Sequence, residues 1–159
     1  MARIDDLPLW LRATLKVYPW RRIDPVPCAR PHQAIAKSRV ALVTTAGLVP
    51  PGERPFDESK GGDYSYRVVA ADTNVQALGE FHRSESFDHA GIGKDRNVAF
   101  PLDRLHELAR SGEIGEVAPR HLSFMGSITA PGRLMKRTAP EAARLLVKDE
   151  VDIALLVPV

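Results

Sequence analysis

The chain has 159 residues, 44% of them hydrophobic and 26% charged, which fits about one soluble domain with enough apolar surface for a core and excludes wholesale disorder. Lys and Arg number 22 against 20 Asp and Glu, a net charge of +2, which gives no electrostatic footprint for nucleic acid or an acidic membrane surface. The single cysteine, Cys28, excludes an internal disulfide framework and a multi-Cys zinc site. No apolar run approaches the roughly 20 residues that cross a bilayer, and the N-terminus lacks the signal-peptide order, so the expected location is the reducing cytoplasm.

Residues 5–18 read as an amphipathic helix. Asp5 or Asp6 is its cap, Pro8 sits in its first turn, and Leu7, Trp10, Leu11, Thr14, Leu15 and Tyr18 share one face. Pro19 stops it. Residues 21–31 hold Pro25, Pro27 and Pro31 and form a linker, with Trp10 and Trp20 expected to anchor this N-terminal segment. The expected division is therefore 1–37, helix and Pro-rich linker, and 38–159, an α/β body.

Arg39-Val-Ala-Leu-Val-Thr-Thr45 is a nearly unbroken apolar run with β-branched residues, as in a parallel strand buried on both faces. It breaks off at Ala46-Gly47 and Pro50-Pro51-Gly52, and Gly61-Gly62-Asp63 makes a further turn. Tyr66 to Ala71 is a second strand. Residues 72–100 carry Asp, His, Ser, Gly and Asn without a clean period and read as a long loop, with Val98 to Phe100 as a short strand or extended approach; loops of this length are often functional. Pro101 to Arg110 is a helix ended by Ser111-Gly112. Residues 113–137 look irregular, with one apolar stretch from Leu122 to Ile128. Thr138-Ala-Pro-Glu141 matches a capping box opening the last helix, and Asp152 to Val157 reads as another buried strand. Together these elements predict an α/β fold: an open, mainly parallel sheet with flanking helices, a Rossmann-like half that is incomplete at the C-terminus.

Sites in open α/β sheets lie beyond the carboxyl ends of strands. Thr44, Thr45 and Gly47 follow the first strand, where they form either a cradle for a carboxylate or phosphate or an ordinary strand-to-loop turn; no dinucleotide fingerprint is present. His82, Ser84, Asp88, His89 and Asp95 share one loop and read as a polar wall, with a histidine able to move a proton. His82, Asp88 and His89 match no standard zinc spacing, so solvated loop residues are favoured over a metal site. Asn97 pins the loop. Met125 and Gly126 let backbone approach a ligand or form a plain turn. His106 is expected on the surface, and His121 is left open. Cys28 reads as an inert small hydrophobe.

Seven segments in order resemble one family: Val40-Ala-Leu-Val-Thr-Thr-Ala-Gly-Leu48, His82-Arg-Ser-Glu-Ser-Phe-Asp88, Asp95-Arg-Asn-Val-Ala-Phe-Pro-Leu-Asp-Arg-Leu105, Gly112-Glu-Ile-Gly115, His121-Leu-Ser-Phe-Met-Gly126, Ala139-Pro-Glu-Ala-Ala-Arg144 and Val151-Asp-Ile-Ala-Leu-Leu-Val-Pro-Val159. The sequence looks like selenoprotein B of the glycine, sarcosine, betaine and D-proline reductases, over residues 38–159. The resemblance implies reductive C–N cleavage of a small amino acid or betaine, a dithiol/disulfide couple as electron partner, and partner reductase subunits, some carrying a carbonyl cofactor made from the protein itself. It also implies substrate contact for His82, Asp88 and Asp95.

In that family a selenocysteine or cysteine, in a Cys-x-x-Cys-like motif, directly follows the strand that here is Val151 to Val159. The resemblance therefore implies a reactive residue just after Val159, with the stop either a misread selenocysteine codon or the end of a fragment. The 159 residues alone are then catalytically incompetent and hold no cofactor. The alternative is a non-catalytic α/β module that binds a small anion or a partner.

Overall fold

The computed structural model describes all residues except 1–3, 19–21, 58–61, 85–87 and 129. Two compact units are present, Met1–Arg30 and Pro31–Val159. In the first, a 3-10 turn at Ile4–Asp6 precedes helix α1, Leu9–Val17. The predicted cap at Asp5 or Asp6 is not used. Pro8, at φ −51° and ψ 145°, is extended and breaks the chain between turn and helix. No residue of α1 is buried, and Trp10 is 69% exposed. Cys28 is exposed. Pro19, Trp20 and Gly61 lie outside the described residues.

The second unit is built on strand β1, Arg39–Thr44, which forms where the sequence predicts it. On one edge it pairs in parallel with β7, Ile153–Val157, over five residues from Val40↔Ile153 to Thr44↔Val157. On the other edge two short segments share it: β5, Glu116–Val117, faces Arg39 and Val40, and β6, Arg120–Phe124, faces Val43 and Thr44, both in parallel. β3, Tyr66–Ala70, lies antiparallel on the far side of β6. The α/β class and flanking helices are as expected, but β3 makes the sheet mixed, so the parallel, Rossmann-like description fits only roughly.

Successive side chains of a strand point to opposite faces, and both faces are covered. Val40, Leu42 and Val69 pack with Phe100 and with Leu102 and Leu105 of helix α3, Leu102–Arg110. Val43, Val68, Leu122 and Phe124 pack with Ala142, Leu145 and Leu146 of helix α4, Ala139–Lys148.

Several sequence readings are corrected. Residues 113–137 contain β5 and β6, and β6 lies inside the sheet. It was illegible because His121 and Ser123 alternate with Leu122 and Phe124, yet both polar residues are fully buried. Residues 72–100 are not structureless. They hold a 3-10 turn at Val75–Ala77, strand β4 at Gly79–Glu80, helix α2 at His89–Lys94 and a 3-10 turn at Arg96–Val98, whose last residue opens the 98–100 stretch that reads as a short strand or extended approach. β4 pairs antiparallel with β2, Leu48–Val49, and these pieces are too short for periodicity to reveal.

The capping box does not form. Thr138 is already helical, at φ −71° and ψ −37°, and its hydroxyl donates to the Leu134 carbonyl. A wide π turn at Leu134–Thr138 precedes α4. It accommodates Pro140, which has no N–H to give and whose ring crowds the preceding turn. β7 is not a buried strand: Leu155 is 44% and Leu156 67% exposed.

His121 fills a gap in the ladder. On this edge β1 changes partner between Val40 and Val43, so the Leu42 N–H meets no backbone carbonyl there and donates instead to His121 Nδ1 at 2.9 Å. The ring stands edge-on to Phe100.

Gly115 sits where its missing side chain matters. A β carbon there would stand 2.4 Å from the Lys37 carbonyl carbon, and backbone cannot swing aside. Gly115→Ala is expected to cost about 1–3 kcal/mol, read as a lowered denaturation midpoint; an unchanged midpoint contradicts the β1–β5 junction described.

Candidate functional site

Parallel pairing brings the carboxyl ends of β1, β6 and β7 to one end of the sheet. Three turns converge there: residues 45–47 after β1, 81–84 after β4 and 125–127 after β6. The Gly47 N–H donates to the Phe124 carbonyl at 2.8 Å, and the Phe81 N–H donates to the Gly47 carbonyl at 2.9 Å. Gly47 and Gly126 both have φ +66°. A β carbon on Gly47 would lie 2.8 Å from the Phe81 carbonyl oxygen. On Gly126 it would lie 2.7 Å from the Thr45 carbonyl oxygen and 2.9 Å from His82 Nε2. The two glycines thus allow Thr45, His82 and the 125–127 turn to close on one another.

The two threonines tie β7 to this end. The Thr44 hydroxyl donates to the Val157 carbonyl at 3.2 Å and accepts the Ala46 N–H at 3.1 Å. The Thr45 hydroxyl accepts the Val159 N–H at 2.9 Å. Both hydroxyls therefore engage the chain itself. What they place here is the backbone around Val159, held against Thr45 from the β7 side, while Gly126 approaches Thr45 from the β6 side.

His82 is nearly buried. Its Nδ1 accepts the Ser84 N–H at 3.1 Å, so in the neutral ring the proton resides on Nε2, the atom nearest Gly126. Burial lowers its pKa from the ordinary histidine value. Met125 is fully buried and packs with Val49, Phe56 and Phe81, an apolar floor under the turn.

The other residues singled out in the sequence take structural parts. Asp88 caps α2 through the Gly91 N–H. Asp95 accepts the Asn97 N–H and the Gln76 amide, contacts that lower its pKa, the Asn97 bond foremost. Asn97 pins the loop as expected, reaching Asp95 and Asp103 and accepting the Asp103 N–H. His106 Nε2 meets the Ala71 carbonyl at 2.8 Å. Ser84 offers its backbone, the N–H to His82 and the carbonyl to His89.

Among the described residues no three or more His, Cys, Asp or Glu side chains are grouped to hold a metal ion. Among them, too, no helix is long and apolar enough to cross a membrane. Sequence reasoning missed Glu80, which carries no motif, and a separate hollow of about 770 Å³ lined by Arg54, Asp57, Asp63, Tyr64, Arg67 and Arg133.

The profile of the glycine/sarcosine/betaine reductase selenoprotein B family matches residues 14–158. The chain belongs to this family. The match begins well before residue 38, where the recognisable motifs start. Among curated relatives, D-proline reductase subunit gamma of Acetoanaerobium sticklandii is 36% identical over 117 residues, covering 74% of this chain and 47% of the relative. Glycine reductase complex component B subunit gamma of Symbiobacterium thermophilum is 29% identical over 141 residues, covering 87% and 32%. Sarcosine reductase complex component B subunit beta of Peptoclostridium acidaminophilum gives the same identity, length and coverage. This selenoprotein B family chain thus spans about half or less of the length of these relatives. No solved structure matches it significantly.

Proposed function

We propose that the chain is the N-terminal part of a selenoprotein B-type reductase component that cleaves a C–N bond in a small amino acid or betaine. The observation that carries the reading is the bond from the Val159 N–H to the Thr45 hydroxyl, which ties the chain after β7 to Thr45, the residue whose carbonyl Gly126 approaches from the β6 side. A selenocysteine or cysteine directly after Val159 would enter this corner and supply a chalcogen nucleophile, ionised near neutral pH in the case of a selenol.

The residues around it suit that role. Thr44 and Thr45 hold the backbone of β7 in place. Met125, Val49 and Phe56 keep water from the floor. His82 holds a proton on Nε2 within reach of the corner, where a leaving amine needs one. In the overall reaction the C–N bond takes up two electrons and two protons, the amine departs, and an external dithiol becomes a disulfide. Partner subunits and a cytoplasmic setting belong to the same reading. The small-anion module is disfavoured because the threonine hydroxyls already engage the backbone.

The test is amine release from glycine, sarcosine, betaine and D-proline by the full-length gene product with its partner subunits and a dithiol. Dithiol-dependent release with at least one substrate is expected, along with none from residues 1–159 alone. Absence of release with all four overturns the reading.

A further inference from the structure

His89 stands between two acceptors. Its Nδ1 bonds the Glu80 carboxylate, and its Nε2 lies 2.7 Å from the Ser84 carbonyl. With an ionised carboxylate on one side and a carbonyl on the other, both partners accept, and the two contacts together call for a proton on each ring nitrogen. It grips the carbonyl of Ser84, and the N–H of the same residue, in the preceding peptide unit, donates to His82 Nδ1 at 3.1 Å. Glu80 ends β4, His89 opens α2, and His82 lies in the turn after β4. A chain of contacts therefore runs from the Glu80 carboxylate through the His89 imidazolium and the Ser84 backbone to the His82 ring, which faces Gly126 and Thr45.

We propose that Glu80 and His89 are positioning residues that hold the 81–84 turn so that His82 presents its Nε2–H to Thr45 and Gly126. The functional meaning rests on the reductase reading of this corner; the geometry does not. Ser84 N–H donation fixes the tautomer, and the charged His89 keeps Ser84 oriented. The charged groups that act on His82 are Glu80, His89 and Arg83: Glu80 favours its protonated form, while His89 and Arg83 oppose it. Deleting His89 would release the Ser84 carbonyl and loosen the residue that carries the N–H bonded to His82.

The experiment is long-range imidazole 15N–1H correlation on residues 1–159, which reports the protonation of each ring nitrogen without any enzymatic assay. At pH 7 the unaltered chain is expected to show two protonated nitrogens on His89 and protonation at Nε2 alone on His82. A His89 ring with one proton, or His82 protonated at Nδ1, overturns the proposal. In His89→Ala and Glu80→Ala the His82 ring is expected to lose its single tautomer, with its midpoint in His89→Ala moving up towards the ordinary value. In Glu80→Gln, whose amide oxygen still accepts from His89, the tautomer is expected to persist. The buried His121 ring reports whether each variant stays folded. An unchanged His82 pattern in both alanine variants overturns the proposal. If those variants unfold, the protonation pattern of the unaltered chain decides. Loss of reductase activity elsewhere in the protein moves none of these signals, so failure of the proposed function and failure of this inference are told apart.

Discussion

Lowering the pH from 7 to 4 is expected to remove roughly 3 kcal/mol of folding stability through His121 alone. Burial pushes this histidine down to about 4, with His106 adding a smaller like-charge effect. The unfolded ring titrates near 6.5, so between that value and about 4 the unfolded state binds a proton that the folded state refuses. Stability therefore rises with pH through this window and is fully present above it. The structural cause is double. The ring is fully buried, and a proton on Nδ1 would turn the acceptor of the Leu42 N–H into a second donor aimed at it. His82 is shifted in the same direction. Asp149, held low by its bonds to Arg120, adds a further loss only below the ordinary carboxylate range. His121→Phe is expected to flatten the profile between pH 6.5 and 4. At pH 7 it costs about 1–3 kcal/mol for the stranded Leu42 N–H. Denaturant titrations at pH 7, 5.5 and 4 on both chains check this; equal slopes against pH contradict it.

Gly126→Ala is the second large effect, about 2–5 kcal/mol of destabilisation. A left-handed backbone costs an L-residue roughly 1–2 kcal/mol, and overpacking adds about 1–3 kcal/mol. The nearest atom to the new methyl is the Thr45 carbonyl oxygen at 2.7 Å, which belongs to backbone. The second contact, 2.9 Å to His82 Nε2, is relieved by the ring leaving the corner, while the contact with the Thr45 backbone remains. The expected result is a lowered denaturation midpoint together with altered His82 imidazole signals. Gly132→Ala is the control, because a β carbon there meets nothing within 4 Å, and it is expected to leave both readouts in place. Equal behaviour of the two variants contradicts the close approach of Thr45, Gly126 and His82.

The legible parts of the fold are those whose signal is local. β1 shows as an apolar, β-branched run, and α3 as Leu102, Leu105 and Leu108 followed by a stop at Ser111-Gly112. β6 is hidden because its inward positions include His121 and Ser123, one of which supplies a hydrogen bond that a hydrophobic residue cannot. The capping box at Thr138 is a correct local match in the wrong place, since the helix is already running when it reaches Thr138. At the candidate site, strand-end logic points to Thr44, Thr45 and Gly47, Gly126 stands out only as a glycine in a stretch that reads as irregular, and His82 only as a loop histidine. Asp88 and Asp95 both read in sequence as a polar wall, yet Asp88 caps a helix and Asp95 caps the start of a 3-10 turn. Glu80 carries no motif; it ends β4, which pairs with β2, and meets His89 nine residues further along the chain.

The central claim is tested most directly by the coding sequence that follows the Val159 codon. The expected result is UGA, or a cysteine codon, followed in frame by a second cysteine codon within a few residues and then a continuing open frame. UAA or UAG at that position contradicts the claim.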